Sequence, residues 1–255
     1  MKIYVCVKHV PDSAATITVK DETDIEEAIT FLINPYDEHA ITEAHRLKSL
    51  FSDAEIIAVS VAKAAGENTL RSALAMGADR GILVTTDERL DSIMTARALK
   101  AAILSDGQPE LILTGKESID AEGMQTMFRL AHLLCLPAAT NVVSIEPQND
   151  RVLISCEKEA GALEKLQLGM RCILAAGKGL NTPRYPTFPE IVKARKKEIK
   201  QITLAELNLA KADSRVELVR LEPIVENREP QELTGSPVEI AAKIVQVLSE
   251  EARVI

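Results

Sequence analysis

A loop from Ser118 to Thr126 has the residues that best suit phosphate binding. It reads Ser-Ile-Asp-Ala-Glu-Gly-Met-Gln-Thr, follows the apolar run Glu110–Leu113 and opens a segment of helical period. In open α/β sheets, ligands bind at the carboxyl ends of strands, where the free N–H groups of a helix N-terminus can hold a phosphate. Every strand-to-helix loop of such a fold has this geometry, so an ordinary connecting loop is the alternative.

A second segment, residues 181–200, has the composition of a docking element. Phe188 stands among Pro183, Pro186 and Pro189, and prolines fix φ, so that little entropy is lost when the aromatic ring enters a partner's pocket. Five cations follow within the same segment: Lys193, Arg195, Lys196, Lys197 and Lys200. In a chain of net charge -8, such a cluster can steer the protein toward an acidic surface. The alternative is a surface loop that leads into a solvated helix end.

The remaining titratable residues form no catalytic or metal-binding pattern. The four histidines have no metal-ligand spacing; they are His9, His39, His45 and His132. Gly115-Lys116 follows a strand but lacks the upstream glycine and the following Ser or Thr of a P-loop. The four cysteines share no Cys-x-x-Cys spacing and lie in apolar strings, as buried free thiols do; they are Cys6, Cys135, Cys156 and Cys172. We therefore expect no catalytic residue and no metal site.

Composition limits the class of protein. With 255 residues, 46% of them hydrophobic, the chain can bury one large core. The acidic net charge, 3% aromatic residues and absence of Trp argue against nucleic-acid binding, which needs a basic face and stacking rings. Isolated cysteines indicate a reducing compartment, and we find neither a signal-peptide pattern nor an apolar run of membrane-spanning length. We expect a cytoplasmic protein without membrane insertion.

The pattern along the chain predicts an α/β fold, an open and mostly parallel sheet with helices on both faces. Short apolar runs alternate with segments of helical period; the runs are Ile3–Val7, Glu55–Val61, Gly81–Val84 and Glu110–Leu113. One helix should open at Asn34-Pro35, and another should stop at Gly77. A later helix should bury an apolar stripe as core and not as cofactor contacts: Met124, Phe128, Ala131 and Cys135.

The second half of the chain predicts two additions to this sheet. The β-like runs Arg151–Cys156 and Leu166–Leu174 indicate a β-hairpin extension. Beyond Glu190 the chain turns polar until Ser236 and Glu239 form a capping box on a final helix. We interpret residues 1–190 as a nucleotide-binding domain that includes the start of the docking loop. Residues 191–255 then form a basic segment and a C-terminal arm that wraps a partner, the alternative being a tail packed on its own domain.

Five segments together resemble, in order and spacing, the β-subunit of electron transfer flavoproteins. They are Lys8–Asp12, Ile33–Glu38, Leu70–Asp79, Leu113–Asp120 and Pro183–Lys197. The resemblance covers essentially the whole chain and implies an adenine-nucleotide α-hydrolase-like fold. It also implies a heterodimer with a larger α-subunit, which the C-terminal arm embraces. The α-subunit would hold most of the FAD, and this chain would bury an AMP.

The resemblance further implies an electron carrier subunit and not an enzyme. Such a heterodimer takes electrons from acyl-CoA dehydrogenases, in fatty acid β-oxidation for example, and passes them to a membrane quinone reductase. One alternative is an electron-bifurcating relative with a second FAD in place of AMP, and another is a nucleotide-binding protein without a redox role. An ATP-cleaving enzyme of the same fold would need a glycine-rich loop after the first strand, and Val7–Pro11 has none.

Individual residues follow from the resemblance by position. The nucleotide positions are Cys6, Asn34, Val61, Asp120, Gly123, Gln125 and Thr126, and Tyr36 matches an aromatic position close to the flavin ring. The docking positions are Tyr185, Phe188, Pro189, Ile191, Lys193 and Lys196, with Phe188 in the place of the family's usual Leu. This chain departs from the family in the phosphate loop, where Ala121 stands at a usual Gly and Gly123 follows two places later. We expect Gly123 to restore the lost backbone freedom.

Overall fold

The computed structural model describes residues 1–51, 53–209, 215–223 and 232–255. Within these residues the chain forms a nine-stranded sheet in the order β11-β10-β9-β12-β8-β1-β6-β7-β13. Its strands are β1 (Lys2–Cys6), β6 (Glu55–Ala62), β7 (Arg80–Thr85), β8 (Leu111–Gly115), β9 (Ala138–Gln148), β10 (Arg151–Glu157), β11 (Leu163–Gly169), β12 (Cys172–Ala176) and β13 (Ile199–Thr203). Two small ribbons pair β2 (His9–Pro11) with β5 (Phe31–Ile33) and β3 (Val19–Lys20) with β4 (Asp24–Ile25).

The sheet is open and mostly parallel, as predicted. Strands β9, β12, β8, β1, β6, β7 and β13 pair in parallel, whereas β10 pairs antiparallel with both β9 and β11. The predicted hairpin extension is therefore present at one end of the sheet. The chain leaves β1 for β6 and β7 on one side and then crosses to β8 on the other. This reversal makes the gap between β1 and β8 the switch point of the fold.

Helices cover both faces, also as predicted, because side chains of each strand alternate between the faces. Ile3 and Val5 of β1 pack with two helices, α1 (Pro35–Lys48) and α2 (Glu67–Ala75). Tyr4 faces the opposite side and packs with α3 (Ser92–Asp106) and α4 (Thr126–Leu134). The described residues contain two further helices, α5 (Phe188–Ala194) and α6 (Pro237–Gln246).

The hairpin prediction was correct for its first strand and wrong for its second. Instead of one run from Leu166 to Leu174, the chain forms β11, turns at Met170 and Arg171, and then enters β12. Strand β12 lies between β9 and β8 in the middle of the sheet. The sequence pattern does not reveal the break between them, because apolar residues recur at every second position across it, at Leu166, Leu168, Met170 and Cys172.

The predicted core stripe of α4 was wrong in three of its four members. Met124 is 38% exposed, Phe128 is 44% exposed, and Cys135 is also exposed. The helix begins only at Thr126 and instead buries Met127, Leu130 and Ala131 against the sheet. The observed stripe of Met127, Leu130 and Ala131 keeps helical spacing but lies about one residue around the helix from the predicted stripe, and Met124 lies before the helix.

The chain divides into two compact units, Met1–Arg220 and Leu221–Ile255. The first contains the whole sheet, including β13, which lies beyond residue 190. The second contains α6 with the predicted capping box of Ser236 and Glu239, followed by a π-helical turn. Apolar side chains of α6, such as Val238 and Ile244, are exposed. Among the described residues, no helix is both long and apolar enough to cross a membrane.

Candidate functional site

A polar crevice lies at the switch point, between the carboxyl ends of β1 and β8. Asp37, near the start of α1, joins the two strand ends. Its carboxylate accepts the backbone N–H of Lys8 at 2.7 Å and that of Gly115 at 2.9 Å. Gly115 is required here, because an added Cβ would lie 2.6 Å from the Cβ of Tyr36. The arrangement holds the edges of the crevice at a fixed separation.

Asp37 is a site residue that the sequence did not single out. Asp37 is only 5% exposed. Burial raises the pKa of its carboxyl to about 7, against the lowering effect of the hydrogen bonds from Lys8, Asn34 and Gly115. An acidic residue in the first turn of a helix is usually explained by the helix dipole, so the sequence alone predicts nothing further for this position.

Asn34 precedes α1 as predicted, but its side chain does not cap that helix. Instead, its amide Nδ2 donates to the carbonyl oxygen of Glu117 at 2.9 Å, and its Oδ1 accepts the backbone N–H of Ile119 at 3.2 Å. Asn34 is 1% exposed. The buried amide therefore fixes the start of the loop that follows β8.

Two lysines border the crevice, one from each strand end. Lys8 Nζ lies 2.6 Å from Asp120 Oδ1 and 3.1 Å from Ser118 Oγ, so it ties the loop after β1 to the loop after β8. Lys116 Nζ pairs with Glu117 at 3.0 Å and lies 5.2 Å from the centre of the Tyr36 ring. Both ammonium groups are thus paired with carboxylates of the same loops, so these lysines tie the loops together and leave the crevice without net positive charge.

The loop before α4 has the backbone geometry of an anion site. Met124 is left-handed, with φ 49°, and Gln125 is right-handed, with φ -97° and ψ -35°. Adjacent residues of opposite hand turn their N–H groups toward one point, and such nests bind anions. Gln125 precedes α4 without a side-chain cap, which leaves the N–H groups of the first turn for a ligand. This donor set fits a phosphate.

The expectation for Gly123 was wrong. Glu122, with φ 46°, and Met124, with φ 49°, are left-handed in this loop, whereas the φ of Gly123 is not positive. A Cβ at Gly123 would meet nothing closer than 3.9 Å. The loop therefore makes no use of the conformational freedom of its glycine, and the strain rests on two residues with side chains.

Cys6, Val61 and Thr126 lie on the α3–α4 side of the sheet, toward its carboxyl edge. Cys6 ends β1, Val61 lies near the end of β6, and both pack against the core that α4 covers. Cys6 retains some exposure, yet protein surrounds its thiol, and burial raises the pKa of that thiol to about 12. The thiol therefore stays protonated. Cys6 and Val61 thus present apolar surface on this side of the sheet.

The docking segment forms a short helix where the sequence indicated a proline-stiffened loop. Helix α5 starts at Phe188 with Pro189 in its first turn and a capping box of Thr187 and Glu190. Its apolar side chains face solvent, as does Tyr185. The exposed fractions are 81% for Tyr185, 77% for Phe188 and 40% for Ile191. Pro189, Lys193 and Lys196 are exposed as well.

The cationic side chains of this segment do not all face solvent. Lys197 points inward and donates to the carbonyl oxygens of Leu74 at 2.9 Å and Ala78 at 2.5 Å. These residues belong to the end of α2 and the link to β7, so the docking segment lies toward the amino edge of the sheet. The crevice lies at the opposite edge. Nucleotide and docking positions are therefore separate surfaces.

In the part of the chain that the structure describes, no group of three or more His, Cys, Asp or Glu side chains is arranged to hold a metal ion. Of the predicted nucleotide residues, Asn34 contacts the loop after β8, Asp120 lies on that loop, and Gln125 and Thr126 lie at the start of α4, to which the loop leads. Tyr36 contributes the ring beside Lys116 at the same edge.

The fold and crevice define an open, doubly wound α/β protein of the kind that binds ligands at a switch point. Comparison with known proteins narrows this class. The electron transfer flavoprotein domain family matches residues 24–207.

Three relatives are named electron transfer flavoprotein subunit beta. The protein of Dictyostelium discoideum is 36% identical over 99% of this chain and 98% of its own length. That of Bacillus subtilis strain 168 is 32% identical over 100% of both. The human protein is 35% identical over 100% of this chain and 99% of its own. The chain therefore belongs to the electron transfer flavoprotein β-subunit family.

Asp37→Asn should change how stability depends on pH. The pKa of Asp37 is about 7 in the folded protein and about 3.9 for an ordinary aspartate, so the folded state binds more protons between these values. Stability from this group is thus fully present below pH ~4 and is lost as the pH rises toward ~7. The variant should lose about 1–2 kcal/mol at pH 5, because one backbone N–H loses its acceptor, and less at pH 7.5. Denaturant unfolding at both pH values measures this.

The matched control is Asp12→Asn, since Asp12 also accepts a backbone N–H, that of Ala14 at 2.9 Å, but does so in an exposed turn. It should leave the pH dependence of unfolding as in the wild type. An Asp37→Asn variant with an unchanged slope between pH 5 and 7.5 would contradict the prediction.

Proposed function

We propose that this chain is the β-subunit of a heterodimeric electron transfer flavoprotein. The heterodimer carries electrons from an acyl-CoA dehydrogenase-type donor to a membrane quinone reductase, in fatty acid oxidation and in the cytoplasm. The main support is the similarity over the full length to proteins named as this subunit. The exposed apolar helix α5 adds a surface of the kind that a carrier needs for docking. The chain is a carrier component and has no catalytic role of its own.

In this proposal the crevice binds AMP. The phosphate contacts the N–H groups at Gln125 and Thr126, next to Asp120 and Gly123. The adenosine part lies against Cys6 and Val61, and Asn34 holds the loop in place. Support comes from the nest at Met124 and Gln125, from the uncapped start of α4 and from the protonated Cys6 thiol. These groups are donors and apolar walls, which suit a nucleotide monophosphate.

FAD, held mostly by the α-subunit, supplies the one-electron redox chemistry of the heterodimer. From this chain, Tyr36 contributes the aromatic ring close to the flavin, and the Lys116 ammonium 5.2 Å from the ring centre helps to orient it. Residues 191–255 comprise the basic segment, which leads into β13, and then the C-terminal arm, which embraces the α-subunit. In support of this role, α6 has an apolar surface, including Val238, that is exposed in the isolated chain.

The docking surface consists of Tyr185, Phe188, Pro189, Ile191, Lys193 and Lys196. Phe188 enters a pocket of the dehydrogenase, and the two exposed lysines steer the approach toward an acidic rim. The position of α5, toward the sheet edge opposite the crevice, supports a docking point separate from the nucleotide site.

Purification of the tagged chain from its native host, with quantification of FAD and AMP after denaturation, tests the proposal. One FAD and one AMP per β-chain, with a larger co-purifying chain, is the expected result. Two FAD without AMP would indicate the electron-bifurcating type. A chain that carries an adenine nucleotide but neither flavin nor a partner would refute the electron-transfer function and favour a nucleotide-binding protein without a redox role.

Charge reversal at Lys193 and Lys196 should slow association with the dehydrogenase. Both side chains are exposed, so the effect acts on long-range attraction and should exceed tenfold at low salt and shrink at high salt. Stopped-flow reduction of the heterodimer at two ionic strengths measures it. Lys165→Glu with Lys178→Glu provides the same charge change at exposed sites outside the docking segment. If both pairs slow association equally, net charge and not the docking surface is responsible.

A further inference from the structure

Helix α5 cannot be held in place by apolar burial. It has seven residues, and a helix this short is unstable in water without external support. Its large side chains face outward: Phe188 is 77% exposed, and Ile191 and Val192 are each 40% exposed. Ala194 is the only buried residue within this fully described helix. Polar contacts with the rest of the domain must therefore fix its position.

Those contacts converge on the C-terminal end of α2. This helix ends in a turn in which the Ala78 N–H bonds to the Ala73 carbonyl and Gly77 has a φ of 130°. A side chain at Gly77 would collide with the His45 ring, at 2.6 Å from Nδ1. Such a turn satisfies some of the last carbonyl groups of a helix and leaves others free. The Ala-Met-Gly-Ala-Asp stretch thus ends α2 with free acceptors at its negative pole.

Two cations of the docking segment occupy these acceptors. Lys197 Nζ donates to the carbonyl oxygens of Leu74 at 2.9 Å and Ala78 at 2.5 Å. Arg184 Nη1 donates to the carbonyl oxygen of Met76 at 2.8 Å. Because the Lys197 ammonium is partly buried, its pKa is lowered, and the two carbonyl oxygens compensate for the lost hydration. The carbonyl oxygens at the end of α2 therefore bind side chains from both sides of α5.

Each end of α5 is also tied directly into this arrangement. At the N-terminal end, Arg184 Nη2 holds Glu190 Oε1 at 2.6 Å, and Glu190 completes the capping box with Thr187. At the C-terminal end, Arg71 of α2 donates to the carbonyl oxygens of Ala194 at 3.0 Å and Lys197 at 2.6 Å. The short helix is thus braced from both sides.

We propose that Arg71, Arg184 and Lys197 are positioning residues for docking: they hold α5 so that Phe188 is presented to the electron donor. This inference rests on the proposed function. The three side chains themselves point into the protein and not at the partner. Their contribution is preorganisation, which removes the ordering cost that a mobile segment would incur on binding. Lys197 therefore differs in role from Lys193 and Lys196, although all three belong to one cationic run.

The test uses the heterodimer with its own α-subunit and the single variants Arg71→Met, Arg184→Gln and Lys197→Met. Hydrogen exchange of the backbone amides of Ile191, Val192 and Lys193 should speed up at least tenfold, because α5 opens more often. Exchange in β6 should stay as in the wild type. With an acyl-CoA dehydrogenase and its acyl-CoA as the electron donor, the KM for the heterodimer should rise about tenfold, with kcat and FAD content unchanged.

Arg46→Gln is the matched control. Arg46 likewise donates to a backbone carbonyl, that of Ile145 at 2.6 Å, and pairs with a nearby acid, Glu43. It has no contact with the docking segment among its described hydrogen bonds, and it should change neither exchange in α5 nor KM. If one of these three variants fails to accumulate, Arg71→Lys, which keeps the cation but shortens its reach toward the carbonyl oxygens of Ala194 and Lys197, allows the same measurements.

Wild-type exchange rates in α5 for all three variants would overturn the inference. So would faster exchange without any change in KM. A Phe188→Ala heterodimer distinguishes failure of this inference from failure of the proposed function. If that variant has a wild-type KM, the docking role itself is refuted, whereas a raised KM for Phe188→Ala with wild-type behaviour of the three brace variants refutes only the bracing.

Discussion

Phe188→Ala is expected to raise the KM of the heterodimer for its dehydrogenase by about 30-fold, with kcat, FAD content and thermal stability unchanged. A buried aromatic anchor contributes about 2 kcal/mol or more to association, and each 1.4 kcal/mol corresponds to a factor of ten. Phe188 is 77% exposed in this chain, so its removal deletes no internal contact of consequence. Steady-state reduction of the heterodimer by the dehydrogenase measures the effect.

Leu50→Ala is the control for this prediction, because Leu50 is also a large apolar side chain, 56% exposed, but follows α1 and not the docking segment. It should leave the KM unchanged. Equal effects of the two substitutions would mean that loss of general surface hydrophobicity, and not loss of an anchor, weakens docking. Phe188→Leu keeps a large apolar side chain, and we expect it to retain most of the affinity, since both side chains can fill an apolar pocket.

Asp106→Ala should lower the free energy of unfolding by about 2 kcal/mol, because Arg80, Tyr4 and Lys2 lose a partly buried charged acceptor while Arg80 keeps its pair with Glu55. Asp106 ends α3 at the amino edge of the sheet, where its carboxylate holds Arg80 through two bonds of 2.8 Å. Tyr4 at 2.8 Å and Lys2 at 3.1 Å donate to the same carboxylate. The side chains of Asp106 and Arg80 are 12% and 19% exposed. Denaturant unfolding measures the loss.

The same network predicts sensitivity to acid. Burial acts to raise the pKa of Asp106, but the hydrogen bonds from Arg80, Tyr4 and Lys2 outweigh it and hold that pKa well below its usual value. A depressed pKa contributes stability above pH ~4, where the unfolded carboxyl is ionised, and this stability is lost as the pH falls further. The wild type should therefore lose more stability than Asp106→Ala when the pH falls from 5 to 3.

Asp150→Ala is the matched control for this substitution. The Asp150 side chain is 88% exposed and lies 4.0 Å from Arg151, and an exposed pair of this kind contributes less than about 0.5 kcal/mol. A loss at Asp106 no greater than that at Asp150 would show that the charge network at the amino edge does not stabilise the sheet.

Much of the fold could be predicted from local pattern. The strands at Lys2–Cys6, Glu55–Ala62 and Arg80–Thr85 follow apolar runs that the sequence displays. The start of α1 at Pro35 and the end of α2 before Gly77 follow local chain chemistry. Prediction failed at the boundary between β11 and β12 and in the choice of the buried face of α4. Apolar side chains lie on two neighbouring stripes of α4, with Phe128 on one and Met127 and Leu130 on the other, and only packing against the sheet selects between them.

For the site, the sequence indicated the region but not the roles. The loop from Ser118 to Thr126 does begin a helix beside a crevice, and Phe188 is exposed. Asp37, by contrast, was not recognised, and Asn34 holds a loop 83 residues away in sequence instead of capping its own helix. The cations of the docking segment look alike in sequence, yet Lys197 is inside and Lys193 outside.

The sequence by itself thus determined the elements, their order and the family, because the 2.0 and 3.6 residue periods and the turn residues act between near neighbours. Only the tertiary structure decided which polar side chains are buried and what they bind. The partners of Asp37 and Lys197 lie as far as 78 and 123 residues away along the chain. No local pattern encodes such contacts, because they arise only when the sheet brings distant strand ends and helix termini together.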